Sequence, residues 1–399
     1  MSVAEPLFGL AALARKVFAG EDLLPLSEAM LDRVSRDPAD TNALMDLSII
    51  LQLLYKPNTA RSMQERALEI NRVYHIPAST GEAAIRLLAI MTSGDLMANT
   101  PLDFLLENSD VSLDMLYVTD DAQFPDTIPE HDIAFVAVAD SDPNLPVLEG
   151  LENTMASWPR PVLNRPARIL RTTREGTWET LRDADGTFMP PQFRVSRSVL
   201  ELINARELSL PASEIQCAFP VIVRPCNSHA GHGLSRLADV DDVAGYLAAQ
   251  AETEFYVSPY LDYRSRDGLF RKYRIALIDG KPYASHMAIS SNWMVHYLNA
   301  GMTDSAEKRR EEERFMVAFG EEFGSRHSAA FAEIDRRFGL EYLIIDCAES
   351  TDGKLIVFEV DVGAVIHAMD PVEMFPYKHV QMKKVFSAFH DMLARRVAR

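Results

Sequence analysis

The chain has 399 residues, 47% of them hydrophobic and 25% charged, with a formal net charge of -18. That length exceeds what one hydrophobic core usually serves, so two or three domains are expected, and the acidic balance excludes nucleic acid and anionic membrane as general partners because both need a basic footprint. No apolar run reaches a membrane span, no basic start precedes the first apolar stretch, and Cys217, Cys226 and Cys347 form no Cys-x-x-Cys pair, so a cytoplasmic protein without structural zinc is expected.

Residues 1–80 read as helical throughout. Leu10, Leu13 and Val17 share one stripe, as do Leu26, Ala29, Met30 and Val34. Breaks at Asp37-Pro38 and Lys56-Pro57 bracket a helix pair in which Ala67, Leu68 and Tyr74 sit where a tetratricopeptide-like unit has its packing residues. One pair makes no solenoid, so these helices are expected to pack on the body of the protein or on a second copy as a homodimer. From 81 to 160 strands alternate with loops and a helix: AAIRLLAIMTS, VSLDMLYVT and HDIAFVAVADSD are the strands of a small parallel α/β domain. Thr92 to Asp95 and Asp140 to Asp142 follow strand ends, where open α/β sheets collect ligands.

Prolines at 159, 161 and 166 mark a boundary, with a helix entered near Ala167 and another expected over NARELSLPASEI, residues 204–215. FPVIVRPCNSHAGHGLSRL is then a strand carrying Arg224, a loop with Ser228, Gly231 and Gly233, and a return strand. An arginine inside an apolar strand should face an anion, and glycines let backbone N–H groups approach it. RKYRIALIDGKPYASHM is an Asp-Gly hairpin whose first strand carries Lys272 and Arg274 on one face. The charged run SAEKRREEERFMVAFGEEFGSRHSAAFAEIDRRFGL reads as a solvated amphipathic helical face. YLIIDCAESTDGKLIVFEVD is a second Asp-Gly hairpin. With Asp352 and Gly353 as its two-residue loop, Asp346 lies across from Glu359 and Ile344 from Asp361, which puts three carboxylates on one face. Facing carboxylates repel, so a cation should sit between them, and oxygen-only ligands suit a hard ion such as Mg²⁺. The alternative is a polar face open to solvent.

In this order, a cation in an apolar strand, a glycine loop, a linking strand and a hairpin with one acid facing an acid-x-acid pair, the chain resembles the ATP-grasp superfamily, and within it RimK-like ligases and glutathione synthetases. The resemblance implies an α+β and α/β protein: two α+β subdomains clasping ATP, at about 165–257 and 258–399 within an ATP-grasp domain over 161–399. A small α/β domain would precede it, and residues 1–80 lie outside the resemblance. It implies ATP and two Mg²⁺ ions, with Mn²⁺ as a substitute, and places Asp346, Glu359 and Asp361 as metal ligands. Arg224 and Arg174 would stand where the family has lysines, Ser228, Gly231 and Gly233 in the phosphate loop, and Ser258, Tyr260 and Leu261 at the adenine hinge. Lys272 and Arg274 would meet the triphosphate. The family's arginine before its paired glycines is missing; His296 and Asn299 occupy that neighbourhood as candidates for the transferred phosphoryl group. His367 and Asp370 are candidates for substrate contact. The implied activity is ATP-dependent joining of a small carboxylate to an amine, amino acid or peptide, through an acylphosphate. A phosphotransferase acting on a hydroxyl and a non-catalytic interaction protein are the alternatives.

Overall fold

The computed structural model describes residues 5–210, 217–226, 228 and 231–398. Four helices come first, α1 (Gly9–Phe18), α2 (Leu24–Arg36), α3 (Thr41–Leu53) and α4 (Pro57–Ile70). α3 is buried on nearly every side, and Leu44, Leu47 and Ile50 belong to the same core as the first β-sheet, so these helices are packed onto the body. α1 has no side-chain cap of its own. Carboxylates from elsewhere take its free N–H groups: Asp46 of α3 accepts from the Phe8 and Gly9 amides at 2.9 and 3.1 Å, and Asp103 from the Ala11 amide at 2.7 Å.

Helix does not continue to residue 80. β1 (Val73–Ile76) is a strand, and Tyr74, expected on a helix, is a buried strand residue. β-Branched Val73 and Ile76 on either side of an aromatic and a histidine favour the extended form. β1 pairs antiparallel with β3 (Val111–Tyr117), which lies parallel to β2 (Ile85–Met91); β2 in turn is parallel to β4 (Ile133–Val136), and β4 to β5 (Val162–Leu163). The result is a five-stranded sheet in the order β1-β3-β2-β4-β5. Its inner strands β2, β3 and β4 are buried on both faces, which is why they read as near-continuous apolar runs.

The second sheet, in the order β7-β10-β8-β9, comprises β7 (Phe193–Ser196), β8 (Val221–Pro225), β9 (Ser235–Leu237) and β10 (Glu254–Pro259). It has a core of its own around Leu200, Val223, Phe255 and Val257. The helix beside it runs Arg197–Asn204 and stops where the expected one began, because Val199, Leu200 and Ile203 supply the apolar face; residues 211–215 of that expectation lie outside the described residues.

The third sheet holds β11 (Phe270–Ile278), β12 (Lys281–Ser290), β13 (Tyr342–Glu349) and β14 (Leu355–Asp361), with the short β6 (Thr187–Phe188) at one edge, in the order β12-β11-β13-β14-β6. It shares the main core with the first sheet: the rings of Phe135 and Phe389 both lie against Tyr342, at centroid distances of 6.4 and 5.4 Å. The architecture is thus mixed α/β and α+β, with two sheets on one core and a third set apart. Among the described residues no helix is long and apolar enough to cross a membrane.

Candidate active site

The two Asp-Gly hairpins close differently. Asp279 and Gly280 both take positive φ, 49° and 76°, and form a two-residue turn with Ile278 opposite Lys281. The second hairpin does not turn on Asp352 and Gly353 alone. The Ser350 amide donates to the Lys354 carbonyl at 2.9 Å, and Glu349 lies opposite Leu355, so the loop holds three residues. A register shift between Asp346 and Cys347 then takes up the extra residue. Asp346 therefore still pairs with Glu359 and Ile344 with Asp361, as the two-residue loop would have had it.

β11 is an interior strand of its sheet, between β12 and β13, so its cations are not on an edge strand. Asp346 accepts from Arg274 Nε at 2.8 Å and Nη2 at 3.0 Å, and lies 2.7 Å from Lys272 Nζ. Burial would raise the Asp346 carboxyl, but Arg274 and Lys272 together hold it well below the usual carboxylate range. Glu359 is engaged by Arg174 at 2.5 Å. Arg174 is the first residue of the helix Arg174–Leu181, whose start is fixed by the Thr173 hydroxyl accepting from the Gly176 amide at 3.1 Å.

Asp361 has no such partner among the described residues. Its Oδ1 accepts from the Gly363 amide at 2.6 Å, and burial, with Glu359 beside it, pushes its carboxyl up to about 6. A fourth carboxylate comes from the first sheet. Asp140, just beyond β4, accepts from the Thr172 hydroxyl at 2.7 Å, and burial and the Asp361 charge raise it well above its ordinary value. Asp142 is bound instead to Arg194 of β7, at 3.0 Å from Nη1. Thr92 is buried, its amide donating to Asn99 Oδ1 at 2.9 Å, while Asp95 is exposed.

Arg224, on β8 opposite Tyr256, donates to Ser228 and has no carboxylate partner among the described residues. Burial and the nearby Arg174 lower its guanidinium to about 10. Two neighbouring arginines, one of them without an acid of its own among the described residues, favour an anion beside them. Gly231 and Gly233 both have positive φ, 76° and 65°; a Cβ at Gly233 would lie 2.6 Å from the Pro225 ring. Ser258 is buried at the end of β10 and accepts from Gln192 at 3.2 Å; Tyr260, edge-on to Trp293 and under the Arg236 guanidinium at 4.5 Å, and Leu261 come next on the stretch that leads to the third sheet.

His296 is half-buried, and burial together with Lys272 and Arg274 keeps its imidazole neutral near pH 7. Asn299 is exposed, and its Oδ1 accepts from the His296 amide at 3.0 Å, so it fixes the turn that presents His296. His367 lies 5.1 Å from the Phe18 ring of α1, and Asp370 is 3.2 Å from Lys378. Lys378 belongs to a buried group that no motif in the chain announces. Glu312, inside the run read as solvated, is fully buried and accepts from Tyr377 at 2.6 Å, Tyr297 at 3.0 Å and the Met287 amide at 3.0 Å, with Lys378 3.5 Å away.

Among the described residues no three His, Cys, Asp or Glu side chains already converge as a metal cage. The reason is visible: Asp346 is turned to Lys272 and Arg274, and Glu359 to Arg174. The donor set still fits a hard divalent cation in type, since Asp361, with Glu359 beside it, is a half-buried carboxylate without an ion-pair partner among the described residues.

No protein-family model matches the sequence, and no curated protein matches it. Among solved structures the chain is similar in fold to ATP-grasp enzymes. One is D-alanine–D-alanine ligase from Bacillus anthracis complexed with ATP, at 14% identity and a TM-score of 0.44, over 79% of this chain and 99% of that one. Another is a RimK domain ATP-grasp protein from Sphaerobacter thermophilus, at 15% and 0.42, over 78% and 100%. A third is VanG D-Ala:D-Ser ligase from Enterococcus faecalis, at 13% and 0.47, over 78% and 99%. Likeness at this level concerns fold, and chemistry has to come from the side chains.

Proposed function

We propose that the chain is an ATP-dependent carboxylate-amine ligase of the ATP-grasp type. The observation that carries this reading is the face shared by β11, β13 and β14. There Lys272 and Arg274 stand against Asp346 and Arg174 against Glu359, while Arg224, on β8 near Arg174, has no acid of its own among the described residues. Such a surface accepts a polyanion at its cationic side and a cation at its acidic side. A nucleoside triphosphate with Mg²⁺ brings both.

ATP would lie between the second and third sheets, its adenine against the Ser258–Leu261 backbone and its phosphates between Arg224, Arg174 and the glycine loop. Asp346, Glu359 and Asp361 would hold the Mg²⁺, which supplies charge neutralisation on the phosphates. Phosphate oxygens would compete with Asp346 for Lys272 and Arg274, which then spread the charge that develops on the transferred group. A substrate carboxylate oxygen attacks the γ-phosphorus and the bond to ADP breaks. The amine nitrogen next attacks the acyl carbon, the bond to phosphate breaks, and the nitrogen loses a proton. Neutral His296, beside Lys272 and Arg274, is placed to donate a hydrogen bond to the phosphoryl group.

The test is ADP release with Mg²⁺ over paired panels of amino acids and small carboxylates, followed by the mass of the product. ADP and phosphate that appear only when acid and amine are both present, with a product lighter than their sum by one water, support the reading. ATP binding without ADP release from any pair overturns it, and transfer of phosphate to a hydroxyl substrate would replace it with a phosphotransferase.

A further inference from the structure

The N-terminal helices do more than cover the first sheet. Between α1, α3 and the C-terminal ends of β2 and β3 they enclose a cavity of about 70 Å³. A water molecule needs roughly 10–15 Å³ of such space, and a cavity of about 150 Å³ takes a benzene, so this one has room for a short aliphatic chain. Its walls include Leu10, Met45, Ile49, Ala89 and Met115, apolar and in part thioether surface that adapts to a guest.

Polar side chains break the apolar wall, among them Gln52, Gln64, Asn99, Thr100, Asp95 and Asp103. Thr100 is 1% exposed, and its hydroxyl has no hydrogen-bond partner among the described residues. Buried hydroxyls are nearly always bonded, so an orphan beside empty space points to a missing partner. Asp95 and Asp103 also line the cavity. Asp103 accepts from the Ala11 amide and, among the described residues, pairs with no cation; burial raises its carboxyl to about 6. No Lys, Arg or His lines the cavity among the described residues. The charge bias is therefore negative, and an anionic guest is disfavoured.

We propose that this cavity is a second ligand site, distinct from the ATP face, that takes a short aliphatic amine as its ammonium. The chain of the amine lies on the Met45 and Met115 wall, and the nitrogen faces Asp103 and the Thr100 hydroxyl. The site does not depend on the ligase reading. Its position connects it to the acidic end of the candidate active site: the Asp95–Thr100 segment that forms its rim also accepts the Ala139 amide on the Ala98 carbonyl at 3.0 Å, and a Cβ at Gly363 would lie 3.1 Å from the Met97 carbonyl. An amine bound here would press on the segment that supports Asp140 and the turn after Asp361.

The test is calorimetric titration of the full chain with n-butylammonium, n-butanol and butyrate, with no nucleotide present, so that its outcome is separate from any ligase assay. Butylammonium should bind once per chain, more tightly than the alcohol, with butyrate weakest. Thr100→Val should weaken binding about tenfold while raising Tm, because it removes an unpaired buried hydroxyl. Asp103→Asn, which keeps an acceptor for Ala11, should also weaken binding. No heat with butylammonium, or butyrate binding as tightly, overturns the proposal. So does a crystal soaked in butylammonium that shows only ordered water on Thr100.

Discussion

Asp346 and Glu359 face each other across β13 and β14 and yet make their ion pairs with different cations among the described residues: Lys272 and Arg274 contact the first, and Arg174 the second. Each acid is thus neutralised from a different element, β11 on one side and the Arg174–Leu181 helix on the other. Cations of β11 and of the Arg174–Leu181 helix thus serve as the counter-charge for the hairpin's carboxylates.

Asp346→Asn breaks this arrangement where it is most buried, with the carboxylate side chain only 3% exposed. It leaves Lys272 and Arg274 uncompensated, and losing one partner of a buried pair costs about 3–5 kcal/mol. The expected result is a lowered Tm that ATP or inorganic triphosphate restores further in the variant than in the wild type, because phosphate takes the vacated place. ADP formation should fall by about two orders of magnitude. Equal stabilisation of both proteins by triphosphate would show that Lys272 and Arg274 do not receive phosphate.

Arg224 is expected to behave in the opposite sense. It is a half-buried cation whose guanidinium burial and Arg174 lower to about 10, so its charge opposes folding. Arg224→Met should leave Tm unchanged or raised and weaken ATP binding by about 1.5–3 kcal/mol, roughly ten- to a hundredfold. Thermal unfolding and equilibrium binding of ATP measured on the same preparation check the two halves together.

The docking of α1 should depend on pH. Burial raises both Asp46 and Asp103 from 3.8 to about 6, against the backbone hydrogen bonds that lower them. A folded-state carboxyl raised in this way contributes stability that is fully present below pH 4 and is lost as pH rises through 6, at most ~3 kcal/mol for each group. Asparagine imitates the protonated acid. Asp46→Asn should therefore match the wild type near pH 4 and exceed it in Tm above pH 6.5. A difference in Tm that stays constant from pH 4 to 7 would remove the effect.

The buried pair of Glu312 and Lys378 is a structural control. Glu312→Gln leaves the Lys378 ammonium, 3% exposed, with Asp370 as its remaining carboxylate and should cost about 3 kcal/mol. The double change Glu312→Gln with Lys378→Met should recover much of that loss, since a dry apolar replacement no longer needs a counter-charge. Denaturant midpoints of the two single variants and the double variant supply the cycle.

Much of this was legible in the chain because short-range chemistry determines it. Alternation put Lys272 with Arg274 and Glu359 with Asp361, and turn chemistry set Asp279-Gly280. Tyr74 was misread because an aromatic after a helical run carries no mark of the strand partner it finds in β3. Glu312 was misread because its neighbours in sequence are charged and solvated, while its partners, Tyr297, Tyr377 and Lys378, come from elsewhere in the chain. Arg174 was placed by resemblance where the family has a lysine; that it meets Glu359, 185 positions away, depends on how a helix packs beside β14. Asp140 was legible as a strand-end acid, but not as a neighbour of Asp361.

The second hairpin has one more loop residue than a tight turn and gives it back at the register shift beside Cys347. The placement of Asp346, Glu359 and Asp361 is thereby uncoupled from the tip: β11 pins Asp346 through its pairing with Arg274, whatever happens at Ser350 to Lys354. The hairpin has slack. A residue inserted or deleted at the tip can be absorbed before it reaches the acids, so this exposed turn is free to carry an epitope tag or a fluorophore without disturbing the chemistry further down the strands.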